Sequence, residues 1–190
     1  MKIHCQLANL AGSRAGISVM ALMLCVGSVV AAQGPGQAGV DAQREAMHKL
    51  SFLAGNWSGP VTIVRGLTPV HLTQTEQVEY KLDGLVLLIE GKSTDSDGKS
   101  AFKALATVSY DETAHAYHFR AYNGGHYIDT ELKVLPDGFS WEYKAGPANV
   151  LNTMHLTAKG EWSEVTEATV GTNPPTHAVD MLLVKQGDGK

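Results

Sequence analysis

Glu76 is the residue with the largest chemical consequence in this chain, because it lies within Leu72 to Leu82, where side-chain character alternates residue by residue. In a strand, such alternation sends Leu72, Gln74, Glu76, Val78, Tyr80 and Leu82 to one face and Thr73, Thr75, Gln77, Glu79 and Lys81 to the other. The first set reads as the inward one. A carboxylate among apolar neighbours is costly to bury alone, so Glu76 is expected to hold a polar ligand group, to pair with Arg120, or to sit at a wetted rim. Glu90, with Val86 and Leu88 on its own face, raises the same question. If both point inward, the two carboxylates could act as acid and base, which gives an enzymatic alternative to simple binding.

Other reactive groups form no complete constellation. His115 and His118 are three apart and fall on opposite faces of a strand, whereas metal ligands must converge, so no metal site is expected. His126 shares the phase of Ile128 and Thr130, which marks it as inward-facing. The chain has neither a Gly-x-Ser-x-Gly elbow nor a Gly-rich phosphate loop. Asp95-x-Asp97-Gly98 lacks the remaining calcium ligands and reads as a hairpin turn.

These residues need elements to position them. Turn signals recur every eight to twelve residues after Gly55, among them Asp83-Gly84, Asp95 to Gly98, Asn123-Gly124-Gly125, Pro136-Asp137-Gly138 and Lys159-Gly160, and about ten strand-sized runs lie between them. Their near-even spacing predicts an all-β fold, a closed antiparallel up-and-down barrel of about ten strands. Phe102, Ala104, Ala106, Val108 and Tyr110 then line the inside, as do Tyr117, Phe119 and Ala121, then Phe139, Trp141 and Tyr143. With several small residues on the wall, a barrel this wide should keep a cavity. Before the strands, Ala42, Ala46, Met47, Leu50 and Leu53 recur at helical spacing between a capping Asp41 and a stop at Gly55. This short helix, Asp41 to Leu53, should cover one end.

The chain opens with a basic flank carrying Lys2 and Arg14, an apolar stretch from Gly16 to Val30, and small residues at Val30-Ala31-Ala32. That order reads as a signal peptide over residues 1–32, followed by a Gly-, Pro- and Gln-rich leader over 33–40 and one domain over 41–190. The expected location is secreted or periplasmic. Cleavage after Ala32 would leave 158 of 190 residues, remove both cysteines (Cys5 and Cys25), and move the formal charge from −4 to −6 through loss of Lys2 and Arg14. No basic run remains, which argues against nucleic acid and, once the signal is cleaved, against membrane as a partner. Self-association stays open.

The run Leu53-Ala54-Gly55-Asn56-Trp57-Ser58-Gly59 resembles the start of the calycin superfamily, which includes lipocalins and nitrobindins. There Gly-x-Trp opens the first strand, which implies a structural role for Gly55 and a Trp57 packed over the barrel floor. The chain is more closely similar to a bacterial lipocalin-like family of unknown function. That likeness continues in Val78 to Gly84, Ser109-Tyr110-Asp111, Gly160 to Glu164 and Met181 to Lys185, and spans about residues 46 to 186. Lipocalins place a last-strand Arg against the floor Trp, where this chain offers Lys185. Nitrobindins hold haem through a late-strand His, for which His155 and His177 are the candidates here. The expected function is binding or carriage of a small, partly hydrophobic ligand without a resident cofactor, through Gln74, Glu76, Tyr80, Glu90, Arg120, His126 and Trp141. The alternatives are an enzyme using Glu76 and Glu90, a haem or nitric-oxide barrel, and an interaction module with a filled core.

Overall fold

The computed structural model describes residues 36–66 and 68–187, so the expected signal peptide and the first part of the leader lie outside the described residues. Ten antiparallel strands follow one another in chain order around a closed barrel. They are β1 (Gly55–Arg65), β2 (Thr68–Lys81), β3 (Val86–Thr94), β4 (Ser100–Asp111), β5 (Ala116–Asn123), β6 (His126–Leu135), β7 (Gly138–Ala145), β8 (Ala148–Leu156), β9 (Trp162–Val170) and β10 (Thr176–Lys185). β10 returns to pair with β1, so every strand has two neighbours and no edge is left open. The hairpins fall where the sequence placed turns. At the β3–β4 connection the Asp95 carboxylate accepts hydrogen bonds from the backbone N–H groups of Asp97 (3.0 Å) and Lys99 (2.9 Å), which makes it a turn-stabilising group.

The helix begins earlier and stops sooner than expected. α1 runs Gly36–His48, and a separate 3-10 turn covers Ser51–Leu53. Asp41 is therefore inside the helix rather than its cap, and residues 36–40 of the expected leader are helical. The Asp41 carboxylate accepts from Gln37 Nε2 one turn before it (3.1 Å) and pairs with Arg44 Nη1 in the next turn (2.9 Å), which supports the added turn. The apolar face behaves as its spacing requires, with Met47, Leu50 and Leu53 fully buried.

The helix closes the end of the barrel where β2, β4, β6, β8 and β10 finish. There Met47, Leu50 and Leu53 join Trp57, Val78, Leu87, Val108, Leu132, Phe139, Met154, Trp162 and Leu183 in one apolar cluster. Two wall hydroxyls tie the helix down: Tyr80 donates to the carbonyl of Met47 (2.7 Å) and Tyr117 to that of Ala46 (2.8 Å). Gln43 and Arg44 bond to the backbone of Leu85 and Asp83 between β2 and β3. Tyr80→Phe should loosen this end by about 1 kcal/mol, the usual net value of one such bond, and amide hydrogen exchange should quicken in 43–50 while the strands keep their protection.

Trp57 lies at the centre of this floor. It is 2% exposed, meets Trp162 edge-on at 5.7 Å, and donates its indole N–H to the carbonyl of Leu53 (2.7 Å). Lys185 Nζ stands 5.2 Å from the Trp57 ring centre, a cation over an aromatic face from the last strand. Gly55 makes that approach feasible. Its φ of +129° is closed to ordinary side chains, and a Cβ there would lie 2.6 Å from Lys185 Cε.

Candidate functional site

The other half of the barrel is hollow. A cavity of about 480 Å3 extends from the apolar plug to the open end, where His126 and Tyr127 reach its lining. Ala104, Ala106, Ala121 and Gly91 leave the space on one side, and Phe119, Trp141 and Tyr143 form an aromatic wall. Trp141 packs on Phe119 at 4.4 Å and stacks on Tyr143 at 5.4 Å with 18° between planes. Such a surface takes the flat or aliphatic body of a guest.

Between plug and mouth lies a belt of polar side chains. Ser93 Oγ donates to Gln74 Oε1, and Gln74 Nε2 donates to Glu76 Oε1 (2.6 Å), so one chain of hydrogen bonds ends on the carboxyl. Burial lifts the Glu76 pKa from 4.5 to about 7; the bond from Gln74 opposes the rise and the charge of Glu164 adds to it. Glu164 contributes a second carboxyl to the cavity. Burial raises its pKa too, against a hydrogen bond from the Trp162 indole N–H (2.9 Å). On β8, Asn152 accepts from Thr166 Oγ1 through Oδ1 (2.7 Å), while its Nδ2 is buried with no partner.

Gly91 makes room for the Glu76 carboxyl. The two residues are directly opposite in the β2–β3 register, and a Cβ on Gly91 would lie 2.8 Å from both Glu76 oxygens. Gly91→Ala should therefore cost about 1–3 kcal/mol of stability by urea unfolding, and much of that loss should vanish in a Glu76→Ala background where the colliding oxygens are gone.

Of the residues singled out in the sequence, Gln74, Glu76, His126 and Trp141 line this cavity, with His126 exposed at its mouth. Tyr80 faces inward but belongs to the floor, where it holds the helix. Glu90 is a correction: it is exposed on the outer face opposite Gln77, and Leu87, Ile89, Gly91 and Ser93 point in. Val86 to Ile89 are apolar without a break, so alternation there was readable in either phase. A broad, open concavity of about 850 Å3 crosses this outer region beside Glu90, Lys92 and Lys103. Arg120 is a second correction. It is exposed on the outside of β5 and pairs with Asp129, its direct neighbour on β6. Leu82 also leaves the inward set, being 71% exposed where the chain turns with positive φ at Leu82 and Asp83.

The late-strand histidines are exposed as well. His155 Nδ1 bonds to Asp137 and His177 Nε2 to Asp180, each at 2.8 Å, and neither lines the cavity. Sequence reading overlooked Glu164, Asn152, Thr166 and Ser93 as lining residues. Glu164 carries no inward mark in local sequence: it shares a face with Trp162 and Thr166, but the apolar Val165 falls on the other face, so residue type there assigns no phase.

A ten-stranded up-and-down barrel, plugged at one end and hollow around a buried polar belt, is the class of protein these features define. Among solved structures the chain is similar to that of Rv2717c from M. tuberculosis, with a TM-score of 0.56 and 14% identity over 74% of this chain and 97% of that one. At this identity the likeness concerns the barrel fold alone. No protein-family model matches the sequence, and no curated protein matches it significantly.

Proposed function

We propose that this protein is an exported, calycin-type carrier that holds a small, partly apolar molecule in the hollow half of the barrel. The observation that supports this most is the division of the interior: the floor half is packed solid, while the mouth half keeps about 480 Å3 between aromatic walls and a buried polar belt. A core evolved for stability alone would fill that space, since each void costs packing energy. Export and removal of the first 32 residues belong to the same reading and rest on the basic-apolar-small order of that segment. The neutral fluorophore prodan tests the carrier reading: one-to-one, saturable uptake with a blue shift and quenching of Trp141 is expected, and linear, unsaturable fluorescence would count against it.

An enzymatic reading through Glu76 and Glu90 loses its second carboxyl to the outer face. Glu164 supplies another within the cavity, so the acid–base candidates become Glu76 and Glu164. Turnover lost in Glu76→Gln with binding retained would favour that reading over simple carriage.

A further inference from the structure

The charge inside the cavity is one-sided. Its described lining contains two carboxyls, Glu76 and Glu164, and neither a Lys nor an Arg; the only basic side chain is His126 at the mouth. Both carboxyls accept hydrogen bonds from neutral donors, Gln74 for Glu76 and Trp162 for Glu164, and neither has a counter-ion among the described residues. Buried carboxylates without a cation are a standing electrostatic cost, which a cation brought into the cavity would relieve. A second and independent observation sits on β8: Asn152 is 6% exposed, lines the same cavity, and carries a buried Nδ2 with no acceptor. An occupant that satisfies this site therefore presents both a hydrogen-bond donor, for a carboxylate, and an acceptor, for the amide.

The walls narrow the choice. Trp141, Tyr143 and Phe119 offer aromatic faces, which attract a flat apolar body and also a positively charged nitrogen. A fatty acid or other anion meets the opposite of what it needs, a described lining with two carboxyls and neither Lys nor Arg. A pure hydrocarbon leaves Asn152 and the carboxyls unmatched. Resting on the carrier reading above, we infer that the occupant is an amphipathic amine: its protonated nitrogen is held by Glu76 with Glu164 close by in charge, its acceptor meets Asn152, and its apolar body lies along Trp141 and Tyr143.

Ionisation fits this assignment. Glu76 titrates at about 7, so an amine that binds its carboxylate must displace a proton below that pH, and affinity should rise with pH up to about 7 and level off above. Few other titratable groups face Glu76. Its strand neighbours Trp57 and Gly91 carry no ionisable side chain, and Glu164 on β9 is the other carboxyl. Tyr143 on β7, together with His126 and Tyr127 on β6, completes the titratable lining, and Lys185 lies over Trp57.

Three probes with one apolar body separate the head-group chemistries: 2-(2-naphthyl)ethylamine, 2-(2-naphthyl)ethanol and 2-naphthylacetate, titrated calorimetrically into the exported protein at about pH 8. The amine should bind at least about tenfold more tightly than the alcohol, the margin of one charge-assisted hydrogen bond, and the carboxylate most weakly. Glu76→Gln should close the gap between the amine and the alcohol, and Glu76→Ala serves if the first variant does not fold. Equal binding of amine and alcohol, or an amine preference that survives the substitution, overturns the amine assignment while leaving a binding barrel in place. Failure of all three probes to bind a protein that takes up prodan also overturns the amine assignment and spares the carrier reading, whereas failure of prodan as well removes both.

Discussion

Replacing Glu76 with Gln should stabilise the barrel by roughly 3 kcal/mol at about pH 8 and leave its stability almost unchanged at about pH 4. The reason lies in where the carboxyl sits. Its pKa is about 7 in the folded chain against 4.5 for a free glutamate, chiefly because burial disfavours the charged form. At about 1.4 kcal/mol per unit, the folded state binds this proton about 3 kcal/mol more tightly than the unfolded chain. That stabilising contribution is fully present below 4.5, is lost as the pH climbs to about 7, and changes no further above it. Gln is close in shape, cannot ionise, and can still accept the hydrogen bond from Gln74, so it removes the loss without opening a hole. Urea unfolding of both proteins across this range should show curves that coincide in acid and separate through neutrality. A gap that is the same at every pH, or a Gln variant that is the weaker protein in mild alkali, would contradict the burial of this carboxyl.

Filling the hollow should abolish uptake while sparing the fold. Ala121 lines the cavity beside Ala106 on β4 and Ile128 on β6, on the mouth side of the packed cluster. In Ala121→Trp the indole enters space that is already empty, so the overpacking cost should be small, and the same space is denied to a guest. Prodan affinity should fall by about a hundredfold or more, and the circular dichroism of the strands should not change. Unaltered uptake in a folded variant would mean that the fluorophore binds elsewhere. Such a result would point to the outer concavity near Glu90, Lys92 and Lys103.

The barrel was legible because its signals are local. Turn residues at even spacing and unbroken alternation, as in Leu72 to Tyr80 and Ala106 to Tyr110, define both the strands and their faces. Legibility ended where alternation did. In Val86 to Ile89 four apolar residues in a row carry no phase, and the error moved Glu90 inside when the inward position belongs to Gly91. Arg120 as a cavity residue runs against the phase of its own strand, where Phe119 and Ala121 claim the interior; its partner is the facing Asp129 outside. Helix length was misjudged because Asp41 has the residue type of a cap, whereas pairing with Gln37 and Arg44 suits the second turn equally well.

The site itself was half legible. Gln74, Glu76 and Trp141 follow from the periodicity of single strands. The electrostatic link of Glu76 to Glu164 depends on barrel closure, which leaves only β1 and β10 between β2 and β9, and the free amide of Asn152 depends on Thr166 occupying its other end. Neither relation has a trace in local sequence. The place of Lys185 over Trp57, by contrast, follows from the pairing of β10 with β1 that sets these two residues opposite each other.

The most direct measurement is the intact mass of the exported protein under native and denaturing conditions. Carriage requires a surplus mass of small-molecule size in the native spectrum that disappears on denaturation, and Ala121→Trp should lack it. Identical masses in both conditions, from protein that also fails to take up prodan, would contradict the carrier reading and leave a barrel whose hollow half has no guest.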